Sequence, residues 1–118
     1  YGRISAVDLY TGEYQWVRAN AQGIRQQIID MGIADPGPVG VVNVAPLLVT
    51  KSLLFQAIND GVPVLRAMDK TTGETIADID LPAIPQGAPM TYMIDDKQYI
   101  SIASGGGSDA KLITLSLP

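Results

Sequence analysis

Ala6-Val7-Asp8-Leu9-Tyr10-Thr11-Gly12-Glu13-Tyr14-Gln15-Trp16 is the stretch that decides the fold, because most of it occurs twice. Ile4 to Glu13 runs parallel to Leu65 to Glu74, with Ala6 on Ala67, Asp8 on Asp69, Thr11 on Thr72, Gly12 on Gly73 and Glu13 on Glu74, a period of 61 residues. In each copy alternating residues lead into an Asp that can accept hydrogen bonds from turn amides, and Thr-Gly closes a hairpin where Gly supplies positive φ. Trp16 is positioned to present a large flat ring to a neighbouring module. The second copy has Ala77 at that place, so its junction is expected to be weaker or filled from elsewhere.

Outward from the repeat, the chain reads as short strands. The first is Arg3 to Leu9, with Ile4 and Ala6 on one face, and Tyr14 to Ala19 returns from the turn. From residue 41 onward, Val41 to Val49, Ser52 to Ile58, Val62 to Asp69 and Thr75 to Leu81 form a four-stranded meander, turning at Thr50-Lys51, Asn59-Asp60-Gly61 and Lys70 to Glu74. After a Pro/Gly loop, Pro82 to Pro89, three more strands follow: Met90 to Ile94, Gln98 to Ser104 and Lys111 to Leu117. Asp95-Asp96-Lys97 and Gly105 to Asp109 separate them. Both faces of the last strand are fairly apolar and are expected to be covered. The segment from Asn20 to Gly40 breaks the pattern. Ile24, Ile28 and Met31 fit one face of one or two helical turns, Gly32 can end them, and Asp35-Pro36-Gly37-Pro38 cannot extend a helix or a central strand. The repeat period exceeds the roughly 40 to 50 residues of a four-stranded repeat module, and this insertion accounts for the surplus.

Composition narrows the chemistry. The 118 residues carry 8 Lys and Arg against 12 Asp and Glu, a net charge of -4, and the cations are scattered singly, so there is no basic patch for nucleic acid. With no His and no Cys, zinc fingers, Ser-His-Asp triads, thiol nucleophiles and disulfide frameworks are excluded. At 47% hydrophobic and 17% charged the chain is that of a packed domain, and Val39 to Phe55, the longest apolar stretch, is too interrupted to span a bilayer. The sequence opens in the middle of a strand-like pattern, so upstream sequence is expected and the chain reads as a fragment.

Ala6-x-Asp8-x-x-Thr11-Gly12-Glu13-x-x-Trp16 resembles the tryptophan-docking motif of the eight-bladed β-propellers of pyrroloquinoline-quinone (PQQ) dependent dehydrogenases. Leu81-Pro82-Ala83, Pro89-Met90-Thr91-Tyr92, Lys97-Gln98-Tyr99 and Ile102-Ala103-Ser104-Gly105-Gly106 look like the C-terminal end of the membrane-bound glucose/quinate branch. The resemblance implies an all-β fold made of about two four-stranded antiparallel blades. Residues 1–19 would end one blade, 20–40 form an inserted loop, 41–81 make a full blade, and 89–117 belong to a partial closing blade. It further implies a periplasmic dehydrogenase, its parent either free or anchored to the inner membrane. That parent would oxidise a sugar or polyol with PQQ and Ca²⁺ or Mg²⁺ and pass electrons to a quinone. In such a parent a base would take the substrate's hydroxyl proton and the metal would polarise the cofactor.

Against the family pattern, Val44-Ala45-Pro46 stands where Gly-Gly-Pro is usual, Val62 where an Asp approaches the cofactor, and Gly107 where a His lies close to the sugar. By the same resemblance the main cofactor and metal ligands and the catalytic base would lie in blades outside this chain, so no catalytic or metal-binding residue is assigned here and the chain alone is expected to be silent, with no cofactor bound. Asn59 and Asp60 are the candidates for approaching the cofactor, because loops at one end of a propeller carry function; the competing reading is a hairpin turn that needs such residues whatever it binds. Asp8, Gly12, Trp16, Asp69 and Gly73 are read as structural. Gly105 to Asp109 lacks the Lys-Ser or Lys-Thr of a phosphate loop and reads as a flexible hairpin with no helix after it. Met31, Met68, Met90 and Met93 read as core fillers. The alternative function is a non-enzymatic propeller serving as a protein-binding scaffold. The expected partners are the rest of the propeller and, for the isolated chain, a second copy.

Overall fold

The computed structural model describes residues 2–42 and 46–116. Nine strands among them form three antiparallel sheets. The first sheet pairs β1 (Arg3–Val7) with β2 (Tyr14–Ala19). A short helix, α1 (Arg25–Asp30), follows. The second sheet is a meander of β3 (Leu47–Val49), β4 (Leu53–Asp60), β5 (Val62–Asp69) and β6 (Thr75–Asp80). The third joins β7 (Met90–Ile94), β8 (Lys97–Ser104) and β9 (Lys111–Ser116). The protein is an all-β assembly of stacked meanders.

Period-two alternation sends neighbouring residues of β4 to opposite sides, and both sides are covered. Leu54 joins Ile4, Trp16 and Met68 in a core between the first and second sheets. Phe55 and Ala57 join Leu65, Ala67, Leu81 and Ile102 in a second core, between the second and third sheets. That is why β4 and β5 read as nearly continuous apolar runs. The second core contains no Trp: Ala77 pairs with Ala67 across β5 and β6, and the junction is filled by Phe55, Leu65 and Ile102 instead.

Several expectations need correction. Val41 and Val42 are not strand, because Gly40 turns the chain at φ +79° and Asn20 holds Val41 by both backbone groups, and among the described residues of that stretch the strand β3 is Leu47–Val49. β4 runs through Asn59 and Asp60, with Asp60 opposite Val62, so Gly61 at φ +86° alone forms the bend. The outward face of the last strand is open, with Leu112 exposed. A single 3₁₀ turn, Gly107–Asp109, stands where a helix-free hairpin was expected. Only Met68 of the four methionines is buried in the core; Met31 ends the helix, and Met90 and Met93 lie on the edge strand β7, all three exposed. None of α1 is buried, since the helical face of Ile24 and Met31 has no sheet beneath it. Val44, Ala45 and Leu117 lie outside the described residues.

Candidate functional site

The two Asp-Thr-Gly turns are built alike. Asp8 Oδ1 accepts the amides of Tyr10 and Thr11 at 2.8 and 3.2 Å, and Asp69 Oδ1 accepts those of Thr71 and Thr72 at 2.7 and 2.9 Å. Thr11 Oγ1 and Thr72 Oγ1 each accept the following Glu amide at 3.2 Å. Gly12 and Gly73 sit at φ +74° and +71°, where a Cβ would be strained. Trp16 lies flat against the second turn: its Nε1 donates to the Lys70 carbonyl at 3.1 Å, and a Cβ on Gly73 would come within 2.6 Å of the ring. Arg18 adds a bond to the Thr72 carbonyl at 3.2 Å. Both sides of this contact are thus matched in shape and hydrogen bonding.

Strand alternation sorts the loops to two ends. Lys70 N–H donates to the Ser52 carbonyl at 3.1 Å, so the 50–52 and 70–74 turns share one end and the Asn59–Val62 bend lies at the other. To that second end the Gly23 amide brings the insertion, donating to Asp60 Oδ2 at 3.0 Å. Leu81 N–H donates to the Pro63 carbonyl at 2.9 Å, and the Ile84 and Ala103 carbonyls exchange bonds with Gly105 and Gln86, so the 81–86 and 105–110 loops gather there as well. This loop-bearing end is the candidate site.

The insertion is closed at its neck rather than loose. Gly40 and Val39 donate to the Ala21 and Gln22 carbonyls, and buried Asn20 grips Val41, accepting from its N–H at 2.8 Å and donating to its carbonyl at 3.1 Å. The chains pass so closely that a Cβ on Gly2 would sit 2.1 Å from the Val41 carbonyl oxygen. From the second sheet Arg66 reaches the Asn20 carbonyl at 3.4 Å and forks onto Asp78, its cross-strand partner, at 2.7 and 2.8 Å. The hydrogen bond to Asp78 raises the Arg66 pKa against the effect of burial, and the same bond lowers that of Asp78. Within the insertion Arg25 forks onto Asp35, one arm at 2.7 Å, and Asp35 is held at about 2 by that hydrogen bond and by the Gly37 amide.

Asn59 and Asp60 therefore stand at this end, opposite Pro63 and Val62, with Asp60 already committed to anchoring the insertion. Val62, at the bend, is exposed. Gly107 begins the 3₁₀ turn of the 105–110 loop. Sequence reasoning missed Asn20, Arg66 and Asp78. The hairpin register that places Arg66 opposite Asp78 was available from the Lys70 to Glu74 turn, whereas nothing local marks Asn20. Gln56, buried beside Arg66 in register, keeps Oε1 without a hydrogen-bond partner.

Residues 1–100 match the PQQ family, described as the glucose/ethanol/alcohol dehydrogenase beta-propeller domain, and the chain belongs to it. It is similar to quinoprotein glucose dehydrogenase A of Acinetobacter calcoaceticus, 32% identical over 108 residues, and to quinoprotein glucose dehydrogenase of Gluconobacter oxydans, 31% identical over 110 residues. It is also 30% identical over 111 residues to the glycerol dehydrogenase large subunit of Gluconobacter oxydans. Each similarity takes in 90% of this chain but only 13% to 14% of the relative's length.

PQQ is a planar tricarboxylate, so a pocket for it needs unpaired cations or amides around a flat surface. At the loop-bearing end Arg25 and Arg66 are both paired with carboxylates and Asp60 is held by Gly23. No cluster of three or more His, Cys, Asp or Glu able to hold a metal occurs among the described residues. These residues do not fit the cofactor by themselves, and no chemical step is assigned to them.

Proposed function

We propose that this member of the PQQ propeller family is a segment of a quinoprotein dehydrogenase that oxidises a sugar or polyol. The reading extends to a quinone as electron acceptor, Ca²⁺ or Mg²⁺ beside the cofactor, and a periplasmic location. What carries it is the similarity, along nine-tenths of the chain, to relatives named as glucose and glycerol dehydrogenases, two substrates that share vicinal hydroxyls. The segment's own part is architectural. It supplies one complete four-stranded module, docks it through Trp16, and brings a pinned loop to the end where the remaining blades would place cofactor and substrate.

The test is the whole protein that contains this chain, loaded with PQQ and Ca²⁺ or Mg²⁺, assayed by dye reduction with glucose and with glycerol. Turnover with either, and none from the 118 residues alone, is expected. Turnover by the chain alone contradicts the architectural role, and a fully loaded protein inert towards sugars and polyols contradicts the dehydrogenase reading. In that event the second reading, a protein-binding propeller scaffold, gains ground. Its support is that Val62 presents an apolar side chain at the bend and that Asp60 is spent on Gly23.

The outer faces of the stack fit the remaining blades as partners. Val7, Tyr14 and Val17 are exposed on the first sheet, Met90, Ile94 and Leu112 on the third, and β9 is an open edge. Separated from those blades, the chain self-associates in this account; light scattering is expected to give a dimer, and a clean monomer at high concentration contradicts it.

A further inference from the structure

At the end opposite the loops, the second and third sheets part around a cavity of about 180 Å³. Its wall is apolar: Leu53, Phe55, Leu65, Ile79, Ile100 and Leu115. Leu65 and Phe55 are core residues, so the cavity is continuous with the interior of the stack. Its mouth is polar, formed by Ser52 beside the β3–β4 turn, Gln98 near the start of β8 and Ser116 at the end of β9. Gln98 commits its Nε2 to Thr91 Oγ1 at 2.9 Å, which leaves its Oε1 to accept at the mouth.

We propose that this cavity is a binding site for one small aromatic molecule bearing a single hydroxyl. Size is the first argument: the pocket is half open to solvent, and its volume is close to the value, about 150 Å³, at which a cavity lined by Leu, Ile and Phe takes up a benzene ring. The division of the surface is the second. Six aliphatic or aromatic side chains give a ring no hydrogen-bonding partner, while the mouth offers hydroxyl and amide groups to one terminal OH. A polyol, with hydroxyls all round, would leave most of them unpaired against that wall. The site is separate from the loop-bearing end and does not depend on the dehydrogenase reading. Because the ligand would bridge the second and third sheets, binding stabilises their junction, which holds no Trp.

Phenol is the probe. Titrated into the chain and followed by methyl NMR, it is expected to bind saturably at one site, with shifts concentrated on Leu53, Leu65, Ile79, Ile100 and Leu115. Glycerol at equal concentration is expected to produce none. Ile79→Trp, on the partly exposed side of the apolar wall, is expected to fill the cavity and weaken phenol binding by about tenfold or more, while Ile76→Trp on the same strand leaves it unchanged. If phenol shifts do not saturate, spread to methyls of the first sheet, or are matched by glycerol, the proposal fails. Equal phenol affinity in folded Ile79→Trp also overturns it. Should that variant unfold, the methyl map of the unaltered chain decides alone.

Discussion

The Asp8 turn and the Asp69 turn have the same backbone, the same Asp and Thr bonds and the same left-handed glycine, yet they live in different surroundings. Gly73 lies under the Trp16 ring, whereas a Cβ on Gly12 would touch nothing within 4 Å. The tips differ too: Lys70 and Thr71 in one, the fully exposed Leu9 and Tyr10 in the other. Local sequence therefore dictates the turn, and what covers the glycine is dictated by a side chain 57 residues away in the chain. The comparison separates intrinsic turn chemistry from docking, and substitutions can take the two apart.

Trp16→Ala carries the largest expected effect, about 3 to 5 kcal/mol in urea unfolding, since it empties the first core and orphans the Lys70 carbonyl. A loss below about 1 kcal/mol would mean the ring holds nothing together. Gly73→Ala follows, at about 3 kcal/mol, combining left-handed strain with collision against the indole. Gly12→Ala meets only the strain and is expected to cost about 1 kcal/mol; equal losses at the two glycines would erase the distinction drawn between the turns. Asp8→Ala and Asp69→Ala each remove an acceptor of two turn amides, and both are expected to cost about 1 kcal/mol.

The smallest effect concerns the insertion between the copies. Asp35, lowered to about 2, stabilises that loop above the ordinary carboxylate range, and the contribution fades as the pH falls from about 4 through about 2. The Gly37 amide, which donates to Asp35, is expected to titrate with a midpoint near 2. A midpoint near about 4 would show that the Arg25 fork does not form in solution.

The duplicated motif made the turns and the all-β architecture legible, because Asp, Thr and Gly at fixed spacing act through bonds within five residues. β2, β5 and β7 follow from short runs bounded by turn residues, β5 as a nearly continuous apolar one. The insertion was legible only as a break in the strand pattern. Its neck depends on Asn20 reaching Val41 and on Gly2 and Gly40 passing in close contact, pairings with no local signature. The same holds at the candidate site: Asn59 and Asp60 could be placed at a bend, but the partner that occupies Asp60, the Gly23 amide, comes from another module. The exposed methionines show the reverse error. Hydrophobicity was visible, whereas β7's position at the edge of its sheet was not.

The central claim is that two consecutive modules are docked by one indole on one glycine, and Trp16 is the chain's single tryptophan. The ring-current shift of the Gly73 Hα protons, read beside Gly12 as an internal reference, tests it most directly. The account predicts Gly73 Hα strongly upfield with cross-relaxation to the Trp16 ring, and Gly12 Hα at ordinary values. Both glycines at the same unshifted position, with no contact to the indole, would contradict it.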